Sequence, residues 1–381
     1  MSREAVLTCP VTEPYIRRSE HGATWFLGRV LARLLTASSL VKADIDGICL
    51  SSFTLAPDGP APFLQHVGLS TRMLDWIPTG GACGIMAARR AVRAVECGDV
   101  EIVACIAGDT ASETTFRSLL EGFSVFARDC VYPYGGGGPN ASFALLTDHY
   151  MRRTGATRED FGRIAVAQRQ NAAGNPLALL RKPMTMAEYL EARPIAPPIH
   201  LLDCVMPCAG GDGFLVMTRG RAEALNLRCV RLLASSERHN AFADDPVQDR
   251  GGWALDCEAL WAKAGIEPKD VDLIETYDDY PVISMLQFEG LGFCLEGEAP
   301  AFLRTRDLTV GGDLPHNTGG GQLSCGQAGA AGGYLGVVEA LRQLTGQAAT
   351  QVVRARHAVV SGFGMINYDR GLCTAAAVLA A

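Results

Sequence analysis

Short apolar runs of strand length alternate along this chain with stretches whose apolar residues recur at helical spacing. The strand-like runs are Ile45–Leu50, Val100–Ala107, Ser142–Thr147, Gly213–Thr218, Val230–Ala234, Leu273–Thr276 and His357–Gly362. The helical stretches include Gly84–Cys97, Asp160–Asn171, Asp256–Gly265 and Gly332–Leu344. Such alternation predicts βα units. Strands that are apolar nearly throughout predict a mainly parallel sheet, covered by helices on both faces. A chain of 381 residues suffices for two ordinary domains or one large α/β assembly.

Charge and cysteine usage exclude several classes. The formal net charge is −7 with no long Lys/Arg block, so the clustered cations of a nucleic-acid surface are missing. The start, MSREAVLTCPVTEPYIRR, lacks an apolar secretory core, and no long uncharged apolar run suggests a membrane span. A cytoplasmic location is expected. The 13 cysteines are dispersed, none forms a C-x-x-C pair, and the 7 histidines do not join them at ligand spacing. No metal site is expected, and the thiols read as small core residues in a reducing compartment. The 42 glycines, often doubled or tripled, mark sharp turns and close backbone approaches.

The two halves echo each other, with a boundary placed between residues 1–225 and 226–381. Gly84–Gly98 is a small-residue helix followed by a strand and a glycine, and Gly332–Gly346 repeats the pattern. A glycine-rich turn precedes each helix (Thr79–Gly81 and Gly319–Gly321). Duplicated halves bring two helix N-termini to a shared centre, where their partial positive charge can serve a developing oxyanion. A segment from about Phe116 to Pro198 interrupts the pattern and reads as a large insertion covering a site. Its GGGGP at 135–139 lacks the Gly-Lys-Ser/Thr of a phosphate loop and fits a turn as well as a ligand cradle.

Six segments in order carry a family resemblance. They are GGACGIMAARRAVRAVECGDVEIVACIAGD, EDFGRIAVAQRQNAAGNPLALLRKPMT, PIHLLDCVMPCAGGDGFLVMT, ETYDDYPVISMLQFEGLGFC, LPHNTGGGQLSCGQAGAAGG and VVSGFGM. Across nearly its whole length the chain resembles the sterol-carrier-type branch of the thiolase superfamily. That resemblance implies a thiolase-like five-layered αβαβα fold with two pseudo-repeated halves, usually dimeric, whose CoA thioesters reach the centre through a narrow tunnel.

The thiolase catalytic stations are altered. The resemblance places Gly81 where the family carries its nucleophilic Cys, and Cys83 where the motif has Ser. The family's Gly-His-Pro corresponds to Gly326-Gln327-Ala328, whose amide can donate a hydrogen bond but takes no proton at neutral pH. The late Cys-x-Gly-Gly-Gly shuttle corresponds to Val360-Ser361-Gly362-Phe363-Gly364, without cysteine. Tyr277 stands where an Asn or His holds the thioester oxygen. The motif glycines Gly84, Gly98, Gly108, Gly213, Gly319, Gly320, Gly332, Gly362 and Gly364 are retained. A kept pocket with exchanged chemistry is similar to the steroid side-chain-cleaving aldolases of this superfamily, and Tyr277 and Tyr368 match the two tyrosines expected in them.

Retro-aldol cleavage of a bulky 3-hydroxyacyl-CoA needs a base for the β-hydroxyl, a donor for the thioester enolate and an acid for the α-carbon. Tyr277 and Tyr368 are the catalytic candidates. A tyrosine base, with an ordinary pKa of about 10, needs a neighbouring cation or an oriented dipole. Cys83, Gly84, His316, Asn317, Gln327 and Gly364 are the expected substrate contacts, with Gln327 or a backbone N–H near Cys83 holding the enolate oxygen. Asp278 and Asp279 either orient Tyr277 or cap the following helix. No cofactor is expected, since the thioester already acidifies the α-carbon. Two rivals stand beside this reading: a Cys83-dependent acyltransferase or thiolase, and a non-catalytic acyl-CoA- or lipid-binding subunit. The resemblance also implies a homodimer and a small zinc-ribbon/OB-fold partner protein. The apolar run Val103–Ala107 is read as too buried for a water-exposed edge, consistent with a dimer.

Overall fold

The computed structural model describes residues 3–112, 114, 118, 128–368 and 370–381. Eleven strands are present among them: β1 Ala5–Ile16, β2 Gly47–Ser51, β3 Met73–Trp76, β4 Ile102–Asp109, β5 Pro194–Ala196, β6 Ile199–His200, β7 Ala209–Thr218, β8 Cys229–His239, β9 Leu273–Thr276, β10 His357–Asn367 and β11 Arg370–Ala380. The helices that matter for the site are α1 Ala23–Ser38, α2 Pro60–Val67, α3 Cys83–Cys97, α4 Gly138–Thr154, α5 Arg158–Ala173, α6 Trp253–Ala264, α7 Pro281–Gly290 and α8 Gly332–Thr345. Among the described residues no helix is long and apolar enough to cross a membrane.

Nine strands form one sheet in the order β3-β2-β4-β7-β1-β8-β11-β10-β9, and β5 and β6 form a separate ribbon. The run β2-β4-β7-β1 is repeated as β9-β10-β11-β8, and the two runs join where β1 pairs with β8. Pairing is parallel in β2·β4 and β9·β10 and antiparallel in the next two pairs of each run. The counterpart of β3 in the second half is a single parallel bridge between Ile274 and His316.

Alternate residues of these strands face different layers, as the two-residue period requires. Val103, Cys105 and Ala107 of β4 join Val360 of β10 in a core around α3 and α8. Ile102, Ala104 and Ile106 point the other way, toward Leu27, Val30 and Leu34 of α1. On the far side of the second half, Val359 and Val378 pack with Trp261 of α6 and Ile283 of α7. The result is helix, sheet, paired helices, sheet, helix. The close approach of α3 to α8 demands glycine at 84, where a Cβ would sit 2.3 Å from the Gly333 carbonyl oxygen.

Three expectations need correction. The sheet is mixed, with antiparallel pairing through its centre, because strands buried on both faces look alike in sequence whichever way they pair. Ser142–Thr147 is not a strand but part of α4, which puts Phe143, Ala144, Leu146, Thr147 and Tyr150 on one buried face. A six-residue apolar run does not distinguish the two states. The run Val103–Ala107 lies in an interior strand, so its burial is explained within the chain and says nothing about a dimer. Residues 115–117 and 119–127 of the insertion, including its expected start at Phe116, lie outside the described residues. The described remainder, chiefly α4 and α5, packs on the second half, where Phe143 stacks on Tyr280 at 4.2 Å.

Candidate active site

Strand β9 ends at Thr276, and the next three residues, Tyr277, Asp278 and Asp279, project from its C-terminal end, where parallel strands present functional groups. Close by are the turns that open α3 and α8, Gly80–Ala82 and Gly329–Ala331. Between them lies a cavity of about 140 Å³ whose wall includes Gly81, Tyr277, Asp279 and Gln327, with Phe53, Phe143, Phe363 and Ile366 as its apolar surface.

The tyrosine ring occupies space that a side chain at 81 would need. A Cβ on Gly81 would stand 2.2 Å from Tyr277 Cε2 and 2.4 Å from the Phe363 carbonyl oxygen. The resemblance puts the thiolase nucleophile at this position, where the ring leaves no room for a side chain.

Three side chains then close on one another. The Tyr277 hydroxyl donates to Asp279 Oδ2 at 2.7 Å. Gln327 Nε2 donates to Tyr277 Oη at 3.0 Å and to Asp279 Oδ1 at 2.6 Å. Burial, then the Asp279 charge, hold the Tyr277 phenol well above its ordinary pKa. Burial also pushes the Asp279 carboxyl up, to about 7, partly offset by the Tyr277 hydrogen bond. A resting tyrosinate is therefore disfavoured, and the neighbour that its hydroxyl meets is a carboxylate rather than a cation. Tyr277 is instead set to pass a proton to Asp279, whose pKa suits a general base near neutrality. Both Gln327 contacts come from one amide nitrogen, so this side chain holds the tyrosine and the acid together rather than standing free for an enolate.

Asp278 behaves differently from its neighbour. It accepts from the Gln322 and Leu323 backbone N–H groups at 3.0 and 3.2 Å, capping the short helix Gly321–Cys325 rather than α7. Burial raises its carboxyl to about 6.

Several expected contacts sit elsewhere. Cys83 is buried, its thiol donates to the Ala330 carbonyl at 3.2 Å, and burial lifts its pKa to about 12. It lies behind the Gly80–Ala82 turn and off the cavity wall, and Gly84 is committed to the α3–α8 contact. Gly364 is also off the wall, because its α-carbon is wedged against the Thr79 carbonyl. His316 is buried behind β9, shares a 2.7 Å hydrogen bond with Thr276 Oγ1, and is driven to about 3 by burial, so it is neutral. Asn317 Oδ1 accepts from the Thr276 N–H at 2.8 Å and supports the strand end rather than the cavity. Tyr368 lies in the turn between β10 and β11, 44% exposed and off the wall. Of the expected set, Tyr277 and Gln327 are brought together.

Two positions escaped sequence reasoning. Asp109, the last residue of β4, accepts from the Ser52 and Thr54 hydroxyls and from the backbone N–H groups of Phe53, Thr54 and Ala330, tying the first half to the turn that opens α8. An acid closing an apolar strand was its only signal. Gln287, a buried glutamine among the apolar residues of α7, bonds to the backbone of Tyr277.

Residues 236–374 match the family described as Thiolase C-terminal domain-like. The chain is 31% identical over 343 residues to a 17-hydroxy-3-oxo-4-pregnene-20-carboxyl-CoA lyase of Mycobacterium tuberculosis, covering 86% of this chain and 88% of that protein. A steroid side-chain-cleaving aldolase of Thermomonospora curvata is 30% identical over 338 residues, covering 84% of this chain and 85% of that one. Among solved structures, an Ltp2-ChsH2(DUF35) aldolase superposes with a TM-score of 0.83 at 25% identity, covering 100% of this chain and 98% of that chain.

Proposed function

The chain belongs to the thiolase superfamily and carries features of its side-chain-cleaving aldolases, and on that premise we propose that it cleaves a bulky 3-hydroxyacyl-CoA by a retro-aldol reaction. The observation that carries this reading is the Tyr277 hydroxyl, set between Asp279 and Gln327 with its ring filling the space a side chain at 81 would need. The β-hydroxyl gives its proton to Tyr277 Oη as the phenol proton moves to Asp279 Oδ2. The freed electron pair forms the ketone, the Cα–Cβ bond breaks, and its electrons go to the thioester enolate. Asp279, now protonated, returns a proton through Tyr277 to the α-carbon, so the residues end as they began. No cofactor enters this sequence, because the thioester itself stabilises the carbanion.

The Cys83 acyltransferase reading is weakened by a thiol that is buried and hard to ionise. A steroid-type acyl group is supported by the activities of the relatives and by the aromatic cavity wall. A DUF35-type protein partner is supported by the composition of the structural neighbour. A homodimer rests on the family resemblance, with the sheet-edge strand β3 and its 43% exposed Trp76 as a pairing edge, and light scattering tests it. A cytoplasmic location follows from the proposed CoA-thioester substrate.

The direct test incubates the chain, with and without a DUF35-type partner, with 17-hydroxy-3-oxo-4-pregnene-20-carboxyl-CoA and analyses products by mass spectrometry. A ketone and a shortened acyl-CoA are expected in equal amounts. Tight binding without cleavage, partner present, would transfer support to the non-catalytic subunit.

A further inference from the structure

Strand β9 stops at Thr276, yet Tyr277 one residue further on is held as firmly as a ladder residue. Its N–H donates to the Ser361 carbonyl at 3.0 Å and to Gln287 Oε1 at 3.1 Å. Its carbonyl accepts from Gln287 Nε2 at 2.7 Å. One carboxamide thus bonds both the N–H and the C=O of a single residue, as a paired strand residue does in an antiparallel ladder. The same amide accepts from Ser361 Oγ at 2.5 Å and donates to the Ile283 carbonyl at 2.9 Å. Two donors and two lone pairs are the full capacity of a glutamine side chain, and all four are spent.

The residues at the ends of these bonds matter. Ser361 lies in the stretch that replaces the thiolase proton shuttle. Tyr277 carries the hydroxyl that faces Asp279, and its ring abuts the Gly81 α-carbon with no slack. A small rotation of the Tyr277 peptide would drive the ring into that turn or swing the hydroxyl off Asp279. We propose that Gln287 is a positioning residue, a surrogate strand that fixes the Tyr277 backbone and thereby the place of its hydroxyl. This rests on the aldolase reading above only for its kinetic consequence, since the clamp itself is a matter of geometry.

Groups held by packing to within about 0.5 Å are what catalysis requires, and a misplacement of about 1 Å costs on the order of 10²-fold. Gln287→Met keeps the volume and removes all four bonds. Its kcat should fall roughly 10- to 100-fold while KM stays within about twofold, because no substrate contact is lost. Gln287→Glu is a second variant: only its protonated form can donate to the Tyr277 carbonyl, so its kcat relative to the parent should rise as pH falls. Tyrosine labelled with ¹³C at Cζ, with the Tyr277 signal identified through Tyr277→Phe, reports the ring directly, and Gln287→Met should shift or split that signal. An unshifted Tyr277 signal with parental kcat in Gln287→Met overturns the proposal. If that variant does not fold, a pH-independent ratio for Gln287→Glu overturns it. Should the parent chain cleave no thioester, the aldolase reading falls, and the label still decides whether Gln287 holds the tyrosine.

Discussion

The two turns that open the paired central helices are equivalent in topology and opposite in use. In the first half, Gly80–Ala82 contributes backbone and the gap into which the Tyr277 ring fits. In the second half, the segment entering Gly329–Ala331 contributes Gln327, and the Tyr277 hydroxyl and the Asp279 carboxyl it meets come from the end of β9 in that same half. Both halves wall the cavity, but on the proposed reading the duplicated scaffold is used asymmetrically: the side chains given proton chemistry, Tyr277 and Asp279, come from the second half. Symmetry of the fold therefore predicts where a site lies but not which copy does the work.

The comparison is broken most sharply at Tyr277. Tyr277→Phe keeps the ring against Gly81 and removes the hydroxyl, so the chemical step should fall about 10²–10⁴-fold. Binding of the CoA ester should change by no more than about 0.5–1.5 kcal/mol, the value of one ordinary hydrogen bond. Single-turnover kinetics with a separate binding titration check both, and near-normal turnover would return Tyr277 to the core.

Gly81→Ala attacks the same contact from the other half. Its Cβ would lie 2.2 Å from the ring, so the tyrosine must move. A loss of about 10²-fold is expected with the melting temperature lowered, and a crystal structure should show Tyr277 displaced. An active, undistorted Gly81→Ala protein would mean that the first half is not the wall described.

A pH profile sharpens the contrast between Asp279 and its neighbours. Asp279 must be ionised to accept a proton, and burial raises its carboxyl to about 7. The active form is thus lost as pH falls through that value, and kcat should drop about tenfold per unit below it. Asp279→Asn should be slow at every pH and lack this limb. His316, driven to about 3, should contribute nothing to the profile above pH 5.

The smallest effects are expected off the wall. Cys83→Ala loses one thiol contact to the Ala330 carbonyl, and Tyr368→Phe loses a hydroxyl at an exposed turn. Each should keep turnover within about threefold of the parent, far below the scale of losing a chemical participant. A hundredfold loss in a folded Cys83→Ala protein would revive the acyltransferase reading.

Much of the scaffold was legible because it is local. Strand β9 has the bounds that its sequence predicts, and α3 and α8 agree within a residue, since periodicity and flanking glycines declare themselves over short windows. Strand β1 was hidden by Pro10, which sits at a register shift between Thr8 and Val11 where a missing N–H costs nothing. Strand β11 was hidden by its alanine-rich run, which reads equally as helix. At the site, the family resemblance marks Tyr277 because the motif carries a tyrosine at a functional position, whereas Tyr368 rests only on its distance from a turn.

The sequence by itself determined the duplicated α/β scaffold, the loss of the thiolase cysteine and histidine, and the candidacy of Tyr277. The scaffold follows from residue identity and short-range spacing; the other two are what the family resemblance of the quoted motifs implies. Tertiary structure alone decided that Gly81 makes room for the Tyr277 ring, that Asp279 rather than a cation faces its hydroxyl, and that Gln287 grips its backbone. These pairings link residues from 2 to 196 positions apart through hydrogen bonds and contacts at ångström precision. Burial, which sets the Asp279 carboxyl near 7, exists only once both halves have closed around it.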